Sequence, residues 1–233
     1  MHAEAQAPEI LAQFAAEHIA PHRGDFRRAE RLPSQLRLLG EALAACQIRV
    51  QKVTEGRWVF LFSGTVIGGW ANGVTTLASA HSRRILNKPG ALEPHLELMG
   101  VPYRPDPEPS PAPAGIPLQA YVVGQRAVSV LAMVPRESLD DAHDDDPATI
   151  AVDLTSTVGE DIADLAVKAL RAVPGLYAGA VDLRVQSLEN VVGAYVTGID
   201  EAACILPHHF PTLGPGRPVA GALVEEILFT AAL

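Results

Sequence analysis

Apolar residues in the first part of the chain recur at helical spacing. Ile10, Leu11, Phe14, Ala15 and Ile19 fall on one side, which predicts a helix over 8–19 that closes at Pro21. Leu36, Leu38, Leu39 and Leu43 form a second stripe and predict a helix over about 34–46 capped by Ser34. The polar stretch between them carries Arg23, Arg27, Arg28 and Arg31, read as surface residues or as contacts to a partner or phosphate. The pattern then shortens. Residues 48–53 and 58–62 read as strands around a turn at Gly56, and 66–70 as a continuation of that sheet. Residues 78–99 read as helix broken near Pro89.

The segment 102–117 contains Pro102, Pro105, Pro107, Pro109, Pro111, Pro113 and Pro117. It is expected to be a linker or surface loop, neither helix nor central strand. Beyond it, 120–123 and 127–131 read as a strand pair around Gly124-Gln125-Arg126. A short strand follows at 150–154. A helix begins at Thr157 or Gly159 and runs to about Val173, with acidic residues in its early turns. Strands at 178–185 and 191–196 and a helix at 218–229 complete the pattern. This mixture predicts α+β or α/β packing and excludes a bundle or sandwich.

At 233 residues, with 48% apolar and 19% charged residues, the chain can bury a substantial core. Its formal net charge of -9 disfavours general nucleic-acid binding. Ten acidic residues lie between Glu137 and Asp164, so the negative charge is concentrated there. The absence of a long apolar run predicts no membrane association, and the N-terminus lacks a signal-peptide pattern, so a cytoplasmic location is expected. Cys46 and Cys204 have apolar neighbours and are expected to be buried free thiols, too far apart in sequence for a compact zinc site.

Few residues offer chemistry. The run DDAHDDD at 140–146 is a solvated loop or a divalent-cation site. Asp182 alternates with apolar neighbours on a strand and is either a cleft-facing carboxylate or a hydrogen-bonded structural one. His208 and His209, read as extended chain, should point apart, so a metal pair is not expected; either could act as a general base. Pro207 argues against a Cys204–His208 dyad. Arg217, in TLGPGRP at 212–218, could hold a carboxylate or phosphate at the start of the last helix, or simply belong to the loop leading into it.

Four segments in order resemble the ATP-grasp ligases, in their cyanophycin-synthetase-like and peptide-ligase branches. They are RILNKPGALEPHLELMGVPY (84–103), AYVVGQRAVSVLAMVP (120–135), AVDLT through AVPGLYAGAVDL (151–183) and LPHHFPTLGPGRPVAGALVEEIL (206–228). The resemblance implies two α+β domains that close over Mg-ATP and activate a carboxylate as an acyl phosphate for attack by an amine. Such chemistry needs cations and metal ligands around the phosphates.

Carried over residue by residue, the resemblance matches Lys88 to a nucleotide-binding lysine and Asp182 to the aspartate of the family's "GvDl". His208, His209 and Arg217 match its substrate-side segment. Gln119 stands where an arginine is expected and Met133 where another basic residue is expected. The Glu-x-Asn magnesium motif falls on Thr197-Gly198-Ile199, with Asp200 and Glu201 as nearby substitutes. The lid, with its glycine-rich loop and lysines, is replaced by the proline-rich segment.

The expected fold is therefore α+β: a truncated ATP-grasp-like mixed or antiparallel sheet packed with helices, preceded by a small α/β part. The expected division is 1–103, a linker at 104–119, and 120–233. Mg-ATP binding in the family mode is not expected. The expected function is a non-catalytic binding or scaffold protein in peptide or natural-product biosynthesis, a homo-oligomer such as a dimer or the companion of an ATP-grasp ligase. The alternatives are an enzyme with repurposed cleft chemistry on a small carboxylate or amino acid, and a carboxylate–amine ligase completed by a partner; the ligand class expected is a small carboxylate or peptide.

Overall fold

A computed structural model of the chain describes residues 7–27, 32–105, 115–139 and 147–232. Helix α1 spans Ala7–His18 and gives way to a 3-10 turn at Ala20–Asp25, where Pro21 occupies an early position. Helix α2 spans Gln35–Ala45, and the Ser34 side chain accepts the Arg37 backbone N–H at 3.2 Å. That satisfies one of the donors left over at a helix start.

Four strands then form an antiparallel meander: β1 (Arg49–Thr54), β2 (Arg57–Phe62), β3 (Thr65–Ala71) and β4 (Val74–Thr75). The turns Ser63-Gly64 and Asn72-Gly73 have positive φ at both residues. Their twist matches that of the strands they join. Helices α3 (Ala80–Leu86) and α4 (Leu92–Leu98) are separated at Pro89-Gly90, as the sequence predicts.

The larger sheet is built from β5 (Ile116–Val123), β6 (Arg126–Pro135), β7 (Thr149–Asp153), β8 (Ala178–Val185) and β9 (Tyr195–Asp200), in the order β7-β6-β5-β8-β9. Every neighbouring pair of named strands is antiparallel. Among the described residues, parallel pairing is confined to single bridges, Tyr103 to Val196 and Val152 to Leu213. Helix α5 (Glu160–Arg171) connects β7 to β8, and a helical turn α6 (Leu206–His209) and helix α7 (Val219–Ala231) follow β9.

Strand alternation divides the core. Leu118, Ala120 and Val122 of β5 face one side, packed with Val181, Leu183 and the buried residues of α5. Tyr121 and Val123 face the other side, with Ala180, α7, α2 and Phe60 and Trp70 of the small sheet. Each fully buried Leu, Ile or Phe adds about 1.5–3 kcal/mol. Helix α7 is apolar over most of its circumference because it lies in this second core, against both sheets. Its Ile227 lies next to Gly68 of β3.

Four expectations change. Pro117 lies within β5, opposite Arg184 of β8, so the central strand begins inside the segment expected to be a linker. A proline is tolerated there because it is the second residue of the strand, before pairing with β6 starts at Leu118. The strand expected at 191–196 instead runs from Tyr195 to Asp200. Cys204 is exposed and Cys46 only partly buried, both as free thiols. His208 and His209 lie on a helical turn rather than an extended chain, with Pro207 at its start, where a missing N–H costs nothing. The acidic run 140–146, Arg28 and Arg31 lie outside the described residues. Among the described residues, no helix is long and apolar enough to cross a membrane.

Candidate functional site

One rung of the larger sheet carries most of the candidate chemistry. Asp153 on β7 pairs with Leu131 on β6, Leu131 with Gln119 on β5, Gln119 with Asp182 on β8, and Asp182 with Gly198 on β9. Residues paired on one rung project to the same face. The turn α6 and the loop before α7 cover that face and bring in His208, His209 and Arg217.

The Gln119 amide N–H donates to Asp182 Oδ1 at 2.9 Å. A carboxylate only accepts, so this contact fixes the amide and leaves Gln119 Oε1 turned toward His208 Nε2 at 3.3 Å. His208 Nε2 must then carry the proton. Its Nδ1 is left to accept the Ser129 hydroxyl at 2.8 Å. The four side chains form one directed chain: Ser129 to His208 to Gln119 to Asp182.

His208 is fully buried. Burial, with a smaller contribution from His209, holds its pKa down to about 4, so the ring is neutral near pH 7. The Tyr121 ring meets it edge-on at 5.2 Å, and burial raises the Tyr121 pKa. His209 faces another way: its Nε2 accepts the backbone N–H of Ala220 in the first turn of α7 at 3.0 Å. Burial lowers its pKa too, which favours the unprotonated nitrogen that this cap requires.

Arg217 is held by Asp153. Its Nε lies 3.2 and 3.1 Å from the two carboxylate oxygens and one terminal nitrogen lies 2.6 Å from Oδ2. The same nitrogen donates to Ser156 at 3.0 Å. Asp153 also accepts the Thr155 hydroxyl at 2.5 Å. The hydrogen bond to Asp153 raises the Arg217 pKa. The backbone reinforces this arrangement, since Arg217 N–H donates to the His208 carbonyl at 2.8 Å and Asp153 N–H to the Leu213 carbonyl at 2.9 Å.

The structure thus brings Asp182, His208, His209 and Arg217 to one face, where the protein itself uses their polar atoms. Lys88 is not among them. It is exposed in the turn after α3, where its carbonyl accepts the Ala91 N–H. The proposed substitutes for the magnesium motif are engaged elsewhere. Asp200 accepts the Ala202 N–H at 2.7 Å, and Glu201 pairs with Arg83 at 3.4 Å. Among the described residues, no group of three or more His, Cys, Asp or Glu side chains is placed to hold a metal ion. A cavity of about 500 Å³ lies away from this face, bordered by Phe14, His18 and Ile116.

Sequence reasoning missed Asp153, Ser129 and Ser156. A signal for Asp153 was present: AVDL occurs at 151–154 and again at 180–183. Both copies are strands, and the shared alternation puts both aspartates on the same face.

No family model and no curated protein matches the sequence. Among solved structures, the fold is similar to that of a bifunctional glutathione synthetase from Pasteurella multocida. The TM-score is 0.69 at 13% identity, over 84% of this chain and 44% of that one. This chain therefore spans less than half the length of that protein. The ATP-grasp ligase PsnB complexed with its minimal precursor also matches, more loosely, with a TM-score of 0.38 at 14% identity over 52% of this chain and 35% of that one. The fold is a mixed α+β architecture of antiparallel sheets packed with helices, similar to a truncated ATP-grasp architecture.

Proposed function

We propose that this chain is a non-catalytic ATP-grasp-like protein that works by binding, as a scaffold or companion in peptide or natural-product assembly. It pairs with itself or with a complete ATP-grasp ligase. The observation that carries this reading is the fork between Arg217 and Asp153. The guanidinium that the family resemblance assigns to substrate already has both carboxylate oxygens and Ser156 as partners. Releasing it to a ligand would strand a carboxylate that is 2% exposed, at a cost of several kcal/mol.

The rung supports the same reading. Asp153 and Asp182 are separated by two intervening strands, about 14 Å at the usual spacing. They cannot share one Mg²⁺, whose ligands sit about 2 Å from the ion. Gln119 replaces a cation at the centre of the row, and His208 is neutral and enclosed.

Thermal unfolding with and without Mg-ATP and a non-hydrolysable analogue tests the proposal. The expected result is an unchanged Tm, because a nucleotide that does not bind the native state cannot stabilise it. A saturable, Mg²⁺-dependent rise overturns it. Native mass measurement of protein purified from its own host then distinguishes a homo-oligomer from a ligase companion.

A further inference from the structure

The small sheet carries a second feature, on the side away from α7. A groove of about 340 Å³ runs over β2, β3 and the start of α3. That volume is within the range of small-molecule sites. Val59, Gly69 and Ala71 supply its floor. Val59 and Gly69 are cross-strand partners, as are Arg57 and Ala71, so these positions share one face. The hollow has two local causes. Gly69 has no side chain, and a Cβ there would collide with the Trp58 carbonyl. Ala71 is the smallest side chain a non-glycine residue can offer beside it.

A β-bulge raises one wall. The β1–β2 register shifts between Lys52 and Thr54, which leaves Val53 unpaired and 58% exposed at the groove. Bulges re-aim side chains in this way. Two arginines mark the edge. The Arg57 side chain is exposed and makes no hydrogen bond or ion pair among the described residues. Arg83 spends only its Nε on Glu201, and half of its side chain is exposed. An apolar floor bordered by the Arg57 guanidinium and by the terminal nitrogens of Arg83, whose Nε is held by Glu201, is complementary to a molecule with an apolar body and a negative end.

We propose that this groove binds a small organic carboxylate with a compact apolar body, the carboxylate at Arg57 and Arg83 and the body over Val59, Gly69 and Ala71. No residue of the groove belongs to the Asp153–Asp182 rung, so this inference and the proposed function stand or fall separately.

Binding is read as heat by isothermal titration calorimetry, because Trp58 and Trp70 alternate with the floor residues and project to the opposite face, toward the α7 core. The full chain is titrated with 4-phenylbutyrate and, in parallel, with the neutral 4-phenylbutyramide. The carboxylate is expected to give a saturable heat of binding, and the amide to bind about tenfold more weakly. Arg57→Gln, on an exposed side chain that the fold does not use, is expected to remove that tenfold preference. Ala71→Leu is expected to fill the floor and abolish both responses. The proposal is overturned by any of three results: no saturable response to the carboxylate, equal affinity for acid and amide, or an undiminished preference in Arg57→Gln.

Discussion

Asp153 and Asp182 stand on the same rung of the five-stranded sheet, joined through Leu131 and Gln119, yet they meet different partners. Asp153 is nearly buried and closed by the Arg217 fork. Asp182 accepts the Gln119 amide. Strand pairing sets their shared direction, and the loop before α7 sets their difference, because it delivers a cation to one end of the row.

The Arg217–Asp153 pair should therefore be structural. Arg217→Ala is expected to lower stability by about 3 kcal/mol, because it leaves a buried carboxylate without its counter-charge. Arg217→Lys should recover only part of this, since an ammonium cannot reproduce two parallel hydrogen bonds. Urea denaturation measures both. A loss under about 1 kcal/mol would mean that Arg217 is available to a ligand, contrary to the proposed function.

Acid should weaken the fold through His208. Its folded pKa is near 4 against an ordinary value of 6.5, so between these values the unfolded chain binds the extra proton. The stability it contributes is fully present above about pH 6.5, falls as pH drops toward 4, and changes no further below that. The total is about 3 kcal/mol. Stability measured against pH should be flatter in this window for His208→Gln; an unchanged slope would assign the effect elsewhere.

The chain from Ser129 to Asp182 should behave as a unit. Gln119→Leu removes the acceptor of the buried His208 N–H and is expected to cost about 2 kcal/mol; Ser129→Ala should cost about 1 kcal/mol. Because both bonds converge on one imidazole, the double mutant should cost less or more than the sum, not the sum itself. Strict additivity in a double-mutant cycle would show two independent contacts.

Two glycines near the C-terminus should respond in opposite directions. A methyl group at Gly216 would fall on the His209 backbone carbonyl, whereas one at Gly221, inside α7, meets nothing within 4 Å. Gly216→Ala is expected to destabilise by about 2 kcal/mol or more. Gly221→Ala should stabilise by about 0.5–1 kcal/mol, because alanine is the better helix former. Thermal melts of the two variants test the pair.

Much of the architecture was legible from local pattern. The Ser34 cap, the break at Pro89 and the turn at Gly56, where φ is positive, are decided by residues within a few positions of each other, so the sequence predicts them. The start of β5 was hidden because six prolines before Pro117 make the whole stretch look alike. Only the partner strand β8 distinguishes Pro117, by pairing with it. The shift of β9 has a similar origin: Val191–Ala194 is apolar enough for a strand, but Gly193 has positive φ in a turn.

The candidate residues were legible as types but not as circumstances. Residue type and local pattern singled out Asp182, His208, His209 and Arg217, and the family resemblance then matched the same four. Nothing local could reveal that Arg217 would meet Asp153, sixty-four positions earlier, or that His208 would be sealed between Ser129 and Gln119. By itself, the sequence determined most of the elements and the α+β class, since these follow from short-range periodicity. The tertiary structure alone decided which polar groups satisfy one another, because hydrogen bonds and ion pairs depend on distances of about 3 Å between residues that only long-range strand order brings together.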